Sequence, residues 1–320
     1  MLSEFDLIAQ YFTHPPRNHQ RVVLGVGDDC ALLSPSPGTQ LAISSDMLVE
    51  GRHFSPDADP QKLGHKCLAV NLSDLAAMGA KPLAFTLALS LPDARAEWLA
   101  PFSKGLFALA DLHECELIGG DTTKGPLNIC ITIFGELTEE HALRRDAARV
   151  GDEIWVSGIL GDARLALAGY RQEIVLDQAT LNATAERMHC PTPRVALGLA
   201  LRGIAHAAID ISDGLVGDLG HILKRSRVGA SLYVDSLPIS HALSQQTPEF
   251  RRNFSLAGGD DYELCFTAPT SAHAMVLSAA KSANTEVTCI GRIEAEQGLH
   301  LLDATGDRLN LTLTSFDHFA

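Results

Sequence analysis

Six short acidic clusters interrupt the apolar runs of this chain, each beside Gly, Ser or Asn. They read Gly27-Asp28-Asp29, Ser44-Ser45-Asp46, Asn71-Leu72-Ser73-Asp74, Gly119-Gly120-Asp121, Asp210-Ile211-Ser212-Asp213 and Gly259-Asp260-Asp261. Carboxylates that a fold brings together repel one another and resist ionisation unless a cation neutralises them. A hard divalent cation such as Mg²⁺ takes oxygen ligands and keeps waters or phosphate oxygens in its remaining positions. The chain must therefore fold so that strand and helix ends deliver acids to a metal–phosphate site.

The runs between the clusters set the frame. A short helical pattern (Phe5, Leu7, Ile8, Tyr11, Phe12) leads into a turn at Pro15-Pro16, and an apolar segment over 22–26 meets Gly27. A strand over 41–44 meets Ser45-Asp46, and a helix over 61–78 is stopped by Gly79 and Pro82. Strands over 85–91, 115–118 and 127–137 and a helix over 95–112 complete a first unit. The polar stretch 139–151 reads as a hinge. Beyond it come strands at 153–157, 207–211, 231–234, 263–267, 286–292 and 299–302. Helices are expected from Asp162 and over 176–189, 215–224 and 271–283, with another starting after Pro193. Alternating strands and helices predict an α/β (α+β) protein with mixed sheets flanked by helices, in two domains, 1–138 and 149–320. Ser45-Asp46-Met47-Leu48-Val49 echoes Ser212-Asp213-Gly214-Leu215-Val216, and Gly27-Asp28-Asp29 echoes Gly259-Asp260-Asp261, as if the halves supplied similar loops.

Asp74 carries the sharpest local argument. On the helix over 61–78, Leu63, Cys67, Val70, Asp74 and Met78 fall on one face that is otherwise apolar. An unpaired buried carboxylate is costly, so Asp74 is protonated, paired with a base or bound to metal. Asp46, Asp121 and Asp210 end or follow strand-like runs, where α/β folds meet their ligands. Asp28-Asp29 and Asp260-Asp261 also suit tight turns, and Asp152, Asp162 and Asp218 read as turn or cap residues. Ser212-Asp213 precedes a helix, as an N-cap does, and a helix N-terminus also attracts phosphate. His53, close behind Ser44-Ser45-Asp46, is the histidine to single out.

Composition excludes several classes. Against 25 Lys and Arg stand 39 Asp and Glu, a formal net charge of −14, which argues against a nucleic-acid partner. Seven scattered Cys with no CxxC pair argue against zinc ribbons and thioredoxin-like chemistry, and favour reduced, mostly buried thiols. There is no P-loop, GxGxxG, protein-kinase motif set, GxSxG elbow or HExxH. No apolar run of about 18 residues occurs and the first residues lack a signal-peptide pattern, so a cytoplasmic protein without membrane contact is expected.

Taken in order, the motifs resemble the thiamine-monophosphate kinase family over essentially the whole chain. The resemblance runs through Gly25-Val26-Gly27-Asp28-Asp29-Cys30-Ala31, Asn71 to Ala80, Ile118-Gly119-Gly120-Asp121-Thr122-Thr123, Ile209-Asp210-Ile211-Ser212-Asp213-Gly214-Leu215 and Asp261-Tyr262-Glu263-Leu264. It implies a two-domain aminoimidazole ribonucleotide synthetase-like fold, a homodimer formed through the N-terminal sheet, and ATP-dependent phosphorylation of thiamine monophosphate to thiamine diphosphate. It further implies that Asp29, Ser44, Ser45, Asp46, Asp74, Asp121, Asp210 and Asp213 bind several Mg²⁺ ions. Gly120, Asp121, Arg145 and Ser212 would touch ATP; His53, Asp260 and Phe316 would touch the thiamine substrate. Asp74 and Asp121 are the key acids, and no acid–base pair is assigned. Two positions depart from the family pattern: Asp260 stands where Glu is common, and Phe316 where Tyr or Trp is frequent. On the residues alone, a metal-dependent phosphatase and a non-catalytic Mg-nucleotide-binding regulatory protein remain open.

Overall fold

In the computed structural model, residues 4–13, 21–311 and 313 are described; Phe316 and the turn at Pro15-Pro16 lie outside them. The chain divides into two compact units, Met1–Leu75 with Ala80–Glu139, and Ala76–Gly79 with Glu140–Ala320.

The first unit runs α1 (Glu4–Leu7), a π-helical turn (Ile8–Phe12), β1 (Val22–Leu24), β2 (Leu32–Leu33), β3 (Gln40–Val49), α2 (Pro60–Met78), β4 (Lys81–Leu91), α3 (Ala96–Leu112), β5 (Glu116–Lys124) and β6 (Asn128–Leu137). Among the described residues its main sheet has the order β3-β6-β4-β5, with β4 and β5 parallel and the other pairs antiparallel. Period-two alternation sorts the side chains by face. Phe85, Leu87, Leu89, Ile129, Ile131 and Ile133 are buried on one face, whereas Leu41, Ile43 and Met47 of β3 stand exposed on the other. Helices α2 and α3 touch backbone to backbone where two glycines meet. A Cβ on Gly64 would lie 2.1 Å from the Phe102 carbonyl oxygen, and one on Gly105 would lie 1.9 Å from that of Gln61. Only glycine permits that approach.

Two strands are longer than the sequence indicates. The strand expected to stop at Ser44 continues through Ser45 and Asp46 to Val49, each residue paired with β6. The strand expected to stop at 118 continues through Gly119-Gly120-Asp121 to Lys124. These acids are ladder residues rather than loop residues, because backbone pairing to β6 and β4 carries the strands past the break in the apolar pattern.

The second unit comprises β7 (Glu153–Ser157), α4 (Asp162–Tyr170), α5 (Gln178–His189), α6 (Val195–Ala200), β8 (Ala207–Asp210), α7 (Leu215–Ser226), β9 (Gly229–Tyr233), α8 (His241–Ser244), α9 (Pro248–Ala257), β10 (Leu264–Ala268), α10 (His273–Ser282), β11 (Val287–Glu294) and β12 (Gly298–Leu302). Its sheet has the order β12-β9-β11-β7-β10-β8, and only the pair of β12 with β9 is parallel among the described residues. Ile154, Val156, Ile209 and Cys265 of the sheet bury against Leu215, Leu219 and Ile222 of α7. Trp155 stacks with Phe266, their ring centroids 6.3 Å apart. The cysteines are free thiols; Cys67, Cys115 and Cys265 are buried, but Cys30 is exposed.

Candidate functional site

In the first unit, β3 and α2 bring three of the expected residues together. Ser44, Asp46 and Leu48 alternate onto the face of β3 shared with Ile133, Ile131 and Ile129. Asp74, on α2, meets them there. Ser44 Oγ donates to Asp74 Oδ2 at 2.5 Å. Asp46 shares a hydrogen bond with Asp74, and burial, then the Asp74 carboxylate, push the Asp46 pKa up to about 7. Asp74 thus sits in a hydrogen-bonded group with Asp46 and Ser44.

Ser45 points to the opposite face, donating to the Ile131 carbonyl at 3.1 Å and lying 3.0 Å from Thr132 Oγ1. His53 lies just past β3, half-buried; its Nδ1 accepts the Val49 N–H at 3.0 Å, which leaves the neutral ring's proton on Nε2. Asp29 is exposed in the loop after β1, its N–H bound to Asp28 Oδ1 at 2.9 Å. Gly120 sits opposite Leu87 in the row that runs through Ile131 to Asp46. Its φ is +148°, and a Cβ there would lie 1.8 Å from the Leu87 carbonyl oxygen, so no other residue fits without moving β5. The next residue, Asp121, is exposed. Three strand spacings, each about 4.8 Å, separate β5 from β3 along the sheet.

In the second unit, two expected segments lie side by side. Asp210 ends β8 and is buried. The Asp260 N–H donates to the Ser212 carbonyl at 2.9 Å and the Tyr262 N–H to the Ile211 carbonyl at 2.8 Å, so the Asp260 loop is laced to the Ser212 loop. Asp260 (φ 67°) and Tyr262 (φ 49°) both occupy the left-handed region, which is uncommon outside glycine. Arg145 is exposed; its carbonyl accepts from Ser226 Oγ at 2.9 Å. The echo between the halves is not structural. Ser45-Asp46 is mid-strand while Ser212-Asp213 is a loop before α7, and Asp29 is exposed while Asp261 is buried.

Several carboxylates hold this region together through partners that the sequence does not indicate. Neither Ser212 nor Asp213 caps α7; Gly214 occupies the N-cap without a side-chain bond. Instead Asp218, in the first turn, accepts the N–H groups of residues 212, 213 and 214. Burial and the Asp213 carboxylate push its pKa up to about 7, against the pull of those donors. Asp261 takes the Gly161 N–H on both oxygens at 3.0 Å, and burial raises its pKa well above the carboxylate range. Glu263, 1% exposed, accepts from Ser157 Oγ at 2.5 Å, twice from Arg194 at 2.6 Å, and from Arg187. Asp261 and Glu263 belong to the quoted motif, but nothing in the sequence links them to Gly161, Arg187 or Arg194.

The AIR synthase related protein N-terminal domain family matches residues 27–137, and the corresponding C-terminal domain family matches residues 149–303. The thiamine-monophosphate kinase of Escherichia coli (strain K12) is 46% identical over 320 residues, 99% of this chain and 98% of that protein. The chain belongs to the thiamine-monophosphate kinase family. A crystal structure of thiamine-monophosphate kinase from Stenotrophomonas maltophilia K279a is 49% identical, with a TM-score of 0.84 over 89% of this chain and 92% of that one. AaThiL, solved in complex with AMPPCP and TMP, is 30% identical, with a TM-score of 0.77 over 89% of both chains.

Phosphoryl transfer in such a family implies Mg²⁺, and the donors in the first unit fit it. They are all oxygens, and two half-buried carboxyls facing each other form an arrangement that a divalent cation relieves. Among the described residues no three His, Cys, Asp or Glu side chains form a ready-made cage. Water or phosphate oxygens would therefore complete the octahedron that Mg²⁺ demands.

Proposed function

We propose that this chain is a thiamine-monophosphate kinase that moves the γ-phosphoryl group of ATP directly onto thiamine monophosphate, giving thiamine diphosphate and ADP. One observation carries the reading: identity of 46% to a kinase of that name along almost the entire length of both proteins. The alternatives of a phosphatase and a regulatory nucleotide binder have no comparable support.

A phosphate oxygen of thiamine monophosphate attacks the γ-phosphorus in line, the bond to the β,γ-bridging oxygen breaks, and ADP departs with the electron pair. The monoester has a second pKa of about 6 and is already ionised near neutrality, so no side chain need remove a proton. Mg²⁺ supplies neutralisation of the charge that builds up between two polyanions. Asp29, Ser44, Ser45, Asp46, Asp74, Asp121, Asp210 and Asp213 are the residues we assign to hold it. Asp46 and Asp74 would be among the residues that hold the cation; Ser44, donating to Asp74, keeps one of its oxygens aimed. We assign Gly120, Asp121, Arg145 and Ser212 to ATP, with Arg145 free in solvent to swing toward phosphate. His53, Asp260 and Phe316 are assigned to the thiamine substrate, whose cationic thiazolium suits the carboxylate of Asp260 and the aromatic face of Phe316.

We further propose a cytoplasmic homodimer paired through the first unit's sheet. The exposed β3 face, with Ile43 at 61% and Met47 at 54%, supports that pairing. No helix among the described residues is long and apolar enough to cross a membrane. Incubation with ATP, Mg²⁺ and thiamine monophosphate, followed by mass analysis, should yield thiamine diphosphate; phosphate release without it would sink the assignment.

A further inference from the structure

The turn of residues 212 to 214 directs three successive backbone N–H groups onto a single atom. Oδ2 of Asp218 accepts from Ser212 at 3.0 Å, Asp213 at 3.1 Å and Gly214 at 3.1 Å. Asp218 is 3% exposed, so these bonds are shielded from water. Successive N–H groups converging on one point form a nest, which elsewhere in proteins receives phosphate or another anion. Here the anion is part of the chain. The loop backbone is committed before any ligand arrives, and phosphate cannot take those donors without displacing a buried carboxylate.

The clamp extends further. Carbonyls of the same stretch, Ile211 and Ser212, accept from Tyr262 and Asp260, and the Ile211 N–H donates to the Glu263 carbonyl at 2.8 Å. Donors on one side of the turn are held by Asp218 and acceptors on the other by the Asp260 loop. Ser212 and Asp213 thus ride on a turn tied down on both sides.

We infer that Asp218 is a positioning residue of the kinase: its buried carboxylate shapes the 212–214 turn so that Ser212 and Asp213 are presented to Mg-nucleotide in fixed geometry. This rests on the assignment of Ser212 and Asp213 under the proposed function. Asp218 touches neither substrate. It acts only through the backbone that carries the two residues that do, as outer partners of metal ligands act through the ligands they orient.

The test is calorimetric, with Mg²⁺ and a non-hydrolysable ATP analogue as the probe. Asp218→Asn keeps the shape but removes the charge that holds three donors. It is expected to raise the Kd of the Mg-analogue complex about tenfold, the lower end of the effect of outer partners on metal sites. The Mg²⁺ concentration for half-maximal turnover should rise with it, while the KM for thiamine monophosphate stays within about twofold. Hydrogen exchange at the amides of residues 212, 213 and 214 should accelerate. Asp218→Glu, which retains the charge but moves it by one methylene, should weaken the complex likewise and decides the matter if the Asn variant does not fold.

Asp152→Asn serves as the control. That carboxylate is also buried and accepts the Arg149 N–H and bonds from His206 and Thr267, away from the turn. It should lower Tm yet leave the Kd unchanged. Wild-type Kd and protected amides in a folded Asp218 variant would overturn the inference, as would equal weakening by Asp152→Asn. A wild type that binds the Mg-analogue complex but makes no thiamine diphosphate would remove the kinase reading and leave Asp218 decided by the same titration. A wild type that binds no Mg-nucleotide sinks both.

Discussion

The two units use carboxylates in opposite ways. In the first, Asp46 and Asp74 face each other, and the Ser44 hydroxyl donates to Asp74. In the second, Asp218 faces three N–H groups, Asp261 faces the Gly161 N–H, and Glu263 faces Arg187 and Arg194. A carboxylate met by donors is finished architecture. One met by another carboxylate is incomplete until a proton or cation arrives. The acids of the first unit are half-buried and those of the second almost wholly buried, and their partners differ as well.

The largest effect that would expose this contrast is in the second unit. Glu263→Ala leaves two guanidinium groups without their counter-charge, and breaking such a pair costs about 3 kcal/mol or more. Urea unfolding should register that loss; a variant as stable as wild type would mean that the cluster is not a scaffold. In the first unit, Asp74→Asn should leave the fold intact but reduce turnover about 100-fold or more, beyond the loss of an outer partner. Wild-type turnover at limiting Mg²⁺ would remove Asp74 from the metal.

A subtler difference lies in pH. Asp46, with a pKa near 7, keeps its proton in the folded state well above the pH at which the unfolded chain releases it. Folding therefore takes up a proton between the ordinary carboxylate range and pH 7, and stability falls as pH climbs through that window. Asp218 has the same sign. The metal-free protein should melt lower at pH 8 than at pH 5, and Mg²⁺ should recover more of the loss at pH 8. Asp46→Asn, by removing the repulsion, should raise the metal-free Tm at pH 8 by about 1–2 °C, roughly 1 kcal/mol in a protein of this size. A fall in Tm would show that the pair is not strained. The smallest expected change is substrate-side: Phe316→Ala should weaken thiamine monophosphate binding by about 0.5–2 kcal/mol while the KM for ATP stays put, and the reverse order would remove Phe316 from the site.

What the sequence reveals follows the same division. Asp74 was legible because helical periodicity alone places it on the face of Leu63, Cys67 and Val70, and those residues are buried. The strand through Asp46 was cut short because Ser-Ser-Asp breaks the apolar run; its alternation becomes readable only once β6 lies beside it. Helix α9, absent from the expected elements, carries start signals in Thr247 as N-cap, Pro248 in the first turn and Glu249 after it. From the sequence Asp218 reads as a turn or cap residue, and it does hold the turn before α7. Its partners are main-chain groups, which any sequence would supply, so only the folded path identifies it. Ion pairs such as Glu263 with Arg187 and Arg194 span about 70 residues of chain and leave no periodic trace.

The contact between Gly64 and Gly105 has a reach beyond the two helices it joins. Asp74 lies ten residues further along α2 from Gly64, about 15 Å down a rigid axis. Pushing the helices apart by the thickness of one methyl group would tilt that axis, and the far end, where the acid sits, would swing with it. The placement of Asp74 is thus set at a fulcrum remote from the acid, and lesions there should disturb it as readily as changes beside the acid itself.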